Sequence, residues 1–218
     1  MISIIKFHKS ALDTIRSGTT GYVSLARFIQ VTNEWQISAA RQLVNFYEEN
    51  QQVKDALATH VKTGTGTTSS SGVLAKPDSY LRFLGVDKAA GKTAYPVNVN
   101  EFPILRDSTI RKPDVSKGLI FYAQKNNGFV FLPETTIPID YTYLRTPPPC
   151  ALTSTVVSSE DDDYETYSSP TDLDWPDEMF DFLLYGVLNR LGFELKDQQT
   201  QQYAMLGLSM EQINNQPK

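Results

Sequence analysis

This sequence is short of the residues that most often carry chemistry. It has one cysteine, Cys150, so no intrachain disulfide can form, and the expected folding compartment is a reducing one. It has two histidines, His8 and His60, and neither lies near a second candidate ligand in the sequence. No Ser sits in GxSxG, no HExxH occurs, and no GxGxxG follows a strand-like run. A run of about 18 apolar residues, which a membrane helix needs, is also missing. The opening MISIIKFHKSALD is too short in apolar residues for a signal peptide core, so cytosolic folding is expected. Positive charge is scarce as well: 20 Lys and Arg face 25 Asp and Glu, for a net charge of −5. An acidic chain lacks the clustered cations that hold phosphate by counterion release, which argues against tight nucleic-acid binding.

What is present is enough for a globular fold. At 218 residues and 40% hydrophobic content, the chain makes one large domain or two small ones. Residues 1–62 read as helical. A short pattern ends at Gly18, Ser24 is a candidate N-cap, and Leu25, Phe28, Ile29, Trp35, Ala39, Leu43, Phe46 and Tyr47 recur at helical spacing, with a break expected near Asn33. TGTGTTSSSG, residues 63–72, reads as a flexible connector. Residues 73–150 carry short aromatic and β-branched runs, YLRFLGV, GLIFYAQ, GFVFLPE and IDYTYLR, separated by turn formers. They predict an antiparallel β module with a tight turn at Asn126-Asn127-Gly128. Within it, PILRDSTIRKPDVSK is polar and bounded by prolines, an extended arm or a long hairpin tip. Residues 151–172, containing SSEDDDYETYSS, read as an acidic linker, without the DxDxDG spacing of a calcium loop.

Residues 173–218 predict two helices. Asp174 is a candidate N-cap for the first, with Met179, Phe182, Leu183, Leu188 and Leu191 as its apolar face and Gly192 as its stop. The second is glutamine-rich, with a thin stripe of Tyr203, Leu206, Met210 and Ile213. The expected fold class is α+β, a helical bundle built from both chain ends with an inserted β module. No catalytic, cofactor-binding or metal-binding residue is assigned. The histidines read as core or surface residues. A Cys–His dyad or a carboxylate pair is possible only if the fold assembles one.

The order of these segments resembles the head-to-tail connector (adaptor or ring) proteins of short-tailed bacteriophages, particularly those related to crAss-like phages. In the helical part the similar positions are Ser24, Phe28, Ala39, Ala40, Phe46 and Tyr47. In the middle they are Pro77, Asp78, Tyr80, Arg106, Pro113, Pro133, Tyr143, Arg145 and Pro147. The close, LDWPDEMFDFLLYGVLNRLGFELKDQQTQQYA, is similar to the family's final helix pair. The stretches 63–72 and 158–169 depart from the family pattern.

That resemblance implies a structural virion protein and not an enzyme. Such a protein forms a ring, usually a dodecamer, below the portal, where it joins capsid to tail and extends the DNA channel. Its implied partners are the portal, neighbouring copies and further tail or ring proteins, with DNA passing through without sequence-specific binding. Its place is the virion, after assembly in the host cytoplasm. The stripe Tyr203, Leu206, Met210 and Ile213 is the candidate interface to the portal or a neighbour, the alternative being packing within the chain. Arg106, Arg111 and Lys112 are assigned to an assembly loop. Two other readings remain from the residues: a receptor- or carbohydrate-binding tail component, and a hydrolase using scattered carboxylates.

Overall fold

The computed structural model describes residues 1–18, 23–125, 128–158 and 163–195; side chains are described for all of these but 16–18, 155–158, 163–165 and 193–195. The chain is α+β. It divides into two compact units, one made of Met1–His60 with Thr146–Lys218, the other of Val61–Arg145.

The first unit contains α1 (Ile4–Gly18), α2 (Leu25–Val44), α3 (Gln51–Ala56) and, from the far end of the chain, α5 (Phe180–Leu195). The hairpin of β8 (Ala151–Ser158) and β9 (Asp163–Thr171) packs on α1 and α2. Helices α1, α2 and α3 begin where side chains supply acceptors to unpaired amides. Ser24 Oγ accepts from the Arg27 amide at 3.3 Å, and Asn50 Oδ1 from the Gln52 amide at 2.9 Å. Asp172 does this for α1 from across the sequence, taking the Ile4 amide at 3.0 Å, beside a two-way backbone bridge between Ile2 and Leu173. Phe7, Phe28, Ala39, Ala40, Leu183, Val187, Leu188 and Leu191 make the apolar core, with Trp175 fully buried.

A polar cluster lies inside this core. Asn33 Oδ1 accepts from the Cys150 amide at 2.8 Å, while its Nδ2 donates to the Cys150 carbonyl at 3.0 Å. Gln36 Nε2 donates to Asn33 Oδ1 at 2.8 Å and to the Pro148 carbonyl at 3.0 Å. The Trp175 indole N–H donates to Gln36 Oε1 at 3.3 Å. This explains why α2 runs unbroken through Asn33, where a break is expected from sequence. The amide is engaged by a distant segment, so it does not compete for the helix's own backbone.

The second unit is two packed sheets. The smaller has the order β1 (Val61–Thr67), β7 (Pro138–Arg145), β3 (Tyr80–Ala89); the larger is β2 (Val73–Leu74), β6 (Gly128–Leu132), β5 (Ile120–Lys125), β4 (Ala94–Pro96). Leu74, Ile120, Phe129 and Phe131 from the larger sheet meet Ile139 and Tyr141 from the smaller. The opposite face of the larger sheet, with Phe121, Ala123, Val130 and Leu132, is covered by Phe102 from α4 (Phe102–Asp107). Strand β6 is therefore buried on both faces, which is why its sequence GFVFL is apolar throughout.

Several expectations are corrected. Residues 63–72 are not simply a connector, because β1 occupies Val61–Thr67. Its glycines are there for space: a Cβ on Gly64 would come within 2.6 Å of the Tyr141 ring, and one on Gly66 within 2.6 Å of Leu74. Residues 151–172 are not a linker, since Ala151–Ser158 and Asp163–Thr171 pair as antiparallel strands, where Thr153, Thr155, Val156 and Val157 supply β-branched residues that the neighbouring acidic run obscures. The module is not wholly antiparallel: β4 pairs with β5 in parallel, a geometry that requires a long crossover. Asn126 and Asn127 lie outside the described residues, but Lys125 pairs with Gly128 across the expected turn. Helix α5 starts at Phe180, after a 3₁₀ turn at Asp177–Met179, instead of being capped by Asp174, and it continues past Gly192 to Leu195.

Two substitutions test this packing in chemical denaturation. Gln36→Leu strands the Trp175 indole N–H and the Pro148 carbonyl, and is expected to cost about 2–4 kcal/mol. Gly186→Ala in α5 would place a Cβ 1.9 Å from the Trp35 indole. It should destabilise by about 1–3 kcal/mol although alanine is the better helix former, because displacing the indole outweighs the gain in propensity.

Candidate functional site

The described residues hold no group of three or more His, Cys, Asp or Glu placed to bind a metal. The two histidines are core residues. His8 is buried, its Nδ1 3.3 Å from the Tyr167 hydroxyl and its ring 4.8 Å from that of Phe28. His60 is fully buried, edge-on to Trp175 at 4.7 Å between ring centres. Cys150 is 2% exposed, and burial pushes its thiol up to about 12. A thiol held neutral in this way is a poor nucleophile. The β unit carries an open groove of about 690 Å³, bounded by Val73, Val99 and Val130 and edged by Gln124, Lys125 and Glu134. Ser71 also lines it, with its hydroxyl 2.9 Å from that of Ser69. Its described lining includes neither histidine nor cysteine.

The prominent surface feature is the crossover from β4 to β5, residues 97–119. Asn98 starts it by accepting the Asn100 amide at 3.1 Å, which sets the 3₁₀ turn Val99–Glu101. In α4, Phe102 and Leu105 point into the second apolar cluster, whereas Ile104 is 71% exposed. The Arg106 guanidinium pairs with Glu134, tying α4 to the end of β6. Ser108 Oγ then takes the Arg111 amide at 2.9 Å, leaving Ile110 90% exposed and Arg111 and Lys112 exposed beside it.

The far side of the crossover is braced. Asp114 and Leu119 exchange backbone bonds of 3.0 Å each way. Lys92 Nζ donates to the Val115 carbonyl at 2.9 Å and to the Ser116 carbonyl. Asp114 accepts from the Ser116 hydroxyl at 2.6 Å and its amide at 2.8 Å, and the hydroxyl bond chiefly holds its carboxyl below the usual carboxylate range. Two exposed isoleucines and two exposed cations are thus presented by a segment whose ends are tied down.

Arg106, Arg111 and Lys112, grouped from sequence as an assembly loop, fall on this one crossover. Arg106 serves as its internal tie, and Arg111 and Lys112 are its exposed charges. Sequence reasoning missed Ile104 and Ile110, although two isolated isoleucines in a polar, proline-bounded stretch were the available signal. Tyr203, Leu206, Met210 and Ile213 lie outside the described residues. No helix among the described residues is long and apolar enough to cross a membrane. No protein-family model matches this chain, and no curated protein matches it.

The Cys150 environment makes a direct prediction. In the native protein the thiol should fail to react with Ellman's reagent at about pH 8 and should react fully in denaturant. The sign with pH follows from the raised value. Below the ordinary thiol value of 9.0 Cys150 leaves stability unchanged; between 9.0 and about 12 the unfolded chain loses the proton that the folded chain keeps. Its contribution to stability therefore falls by up to about 1.4 kcal/mol per pH unit in that window. Substituting Cys150 by Ala should remove that component of the alkaline slope.

Proposed function

We propose that this chain is a structural virion protein, a head-to-tail connector that forms a ring beneath a portal and carries the DNA channel towards the tail. The observation that carries the reading is the insertion. A helical unit closed by both ends of the chain contains a β unit at Val61–Arg145, in the segment order on which the resemblance to connector proteins rests. The charge supports it too, because a net charge of −5 suits a channel that must let DNA slide without gripping it. In this reading the partners are the portal, copies of the chain and further tail proteins, and the work done is assembly.

The tail segment bearing Tyr203, Leu206, Met210 and Ile213 is the part we assign to docking on the portal or a neighbour.

The test is the mass of the chain by sedimentation, alone and mixed with a candidate portal. At physiological salt the mixture should give a ring-sized complex that the chain alone does not. Tyr203→Asp with Met210→Asp should abolish that complex while leaving the circular dichroism and melting temperature of the chain unchanged. A wild-type chain that ignores the portal and binds surface glycans would replace the connector reading with a receptor-binding one.

A further inference from the structure

The two units carry opposite charge. Val61–Arg145 holds eleven Lys and Arg against seven Asp and Glu, a net +4, whereas the rest of the chain holds nine against eighteen, a net −9, together making the −5 of the whole. The two units of one molecule are therefore complementary in charge, and a second copy is the partner that this division of charge fits.

The β unit also displays the surface such a contact needs. Ile104 and Ile110 are 71% and 90% exposed, which is unusual for large aliphatic side chains lying so close in sequence, and Arg111 and Lys112 flank the second. The crossover that carries them is fixed by the Arg106–Glu134 pair, by Lys92 on the Val115 and Ser116 carbonyls, and by the Asp114–Leu119 bridge. Little conformational entropy is then lost when it is covered, which favours binding. On the helical unit, the 3₁₀ turn before α5 and the first turn of α5 present exposed Asp177, Glu178 and Asp181, with Asp177 3.5 Å from the Met1 ammonium.

We infer that the crossover 97–119 of one copy docks on the acidic helical unit of the next copy, through Ile104 and Ile110 with Arg111 and Lys112 against carboxylates that include those at the start of α5. Because the two patches differ, the contact is heterologous. It repeats from copy to copy and closes into a ring or runs on as a filament according to its rotation. This deepens the connector reading and rests on it only for closure into a ring. The pairing itself is argued from the division of charge and the exposed isoleucines.

The experiment uses the full chain without portal, followed by sedimentation velocity across protein concentration and salt. Wild type should self-associate at low ionic strength. The association should weaken steeply from about 0.01 M to about 1 M salt, as the Debye length shrinks from about 30 Å to about 3 Å. Arg111→Glu with Lys112→Glu takes the β unit from +4 to 0, and Asp177→Lys, Glu178→Lys and Asp181→Lys take the helical unit from −9 to −3. Each variant should associate at least about tenfold more weakly than wild type. An equimolar mixture of the two should associate again, since reversed charges face one another across alternate contacts. Ile110→Ser should weaken association without altering its salt dependence.

Circular dichroism guards against misfolding, and the neutral set Asp177→Asn, Glu178→Gln and Asp181→Asn serves if the lysine variant is unstable. A wild type that stays monomeric at low salt overturns the inference, as do variants that associate like wild type. A crossover variant that still forms a ring on a portal overturns this contact and leaves the connector reading standing. Self-association without any portal binding does the reverse.

Discussion

The helical unit depends on two side chains of α2. Asn33 and Gln36 together bond the amide and carbonyl of Cys150, the carbonyl of Pro148 and the indole of Trp175. Those partners belong to the chain just after it leaves the β unit and just before it enters α5. A triple proline provides no amide hydrogens, so the returning chain cannot be held by a ladder of its own. Side-chain amides, each both donor and acceptor, are what can hold it. Without them Trp175 would be buried with an unpaired N–H, and α5 would be joined to α2 by apolar packing and by Arg190, which pairs with Glu34 at 3.8 Å and lies over the Trp35 ring. Buried networks of this kind are costly when incomplete and specifying when complete.

With the returning segment held, the β unit becomes a self-contained insertion with its own two-sheet core. Its parallel β4–β5 pair obliges the chain to make a long crossover, and that crossover exposes Ile104 and Ile110. Topology and candidate function are linked here by one constraint: a parallel strand needs a connection of a dozen or more residues, and such a connection can present side chains to a partner.

Helices α1, α2 and α5 and the aromatic strands were legible because their apolar spacing is a direct image of burial. Other features were not, among them α4, which forms within the stretch read as an extended arm or a hairpin tip. Strand β1 has glycines where Tyr141 and Leu74 press against it, a requirement imposed by residues far along the chain. The β8–β9 hairpin was masked by the acidic run at its middle, where charge outweighed the β-branched residues beside it in the reading. Asn33 looked like a helix breaker because its partner, Cys150, is 117 positions away. The cations Arg106, Arg111 and Lys112, grouped from sequence, fall on one crossover, where Arg106 pairs with Glu134 and the other two are exposed, whereas the exposure of Ile104 and Ile110 depends on packing that their sequence neighbours do not reveal. The division of charge between units was also invisible until the units themselves were known, since it cancels to −5 over the whole chain.

The central claim, that this chain builds a ring on a portal through a contact between unlike surfaces, is tested most directly by electron cryomicroscopy of the chain mixed with a candidate portal. The expected image is a ring stacked on the portal, with the 97–119 crossover of each subunit against the helical unit of its neighbour. Portal particles with no added density, or a ring whose neighbours meet elsewhere while the crossovers face solvent, would contradict it.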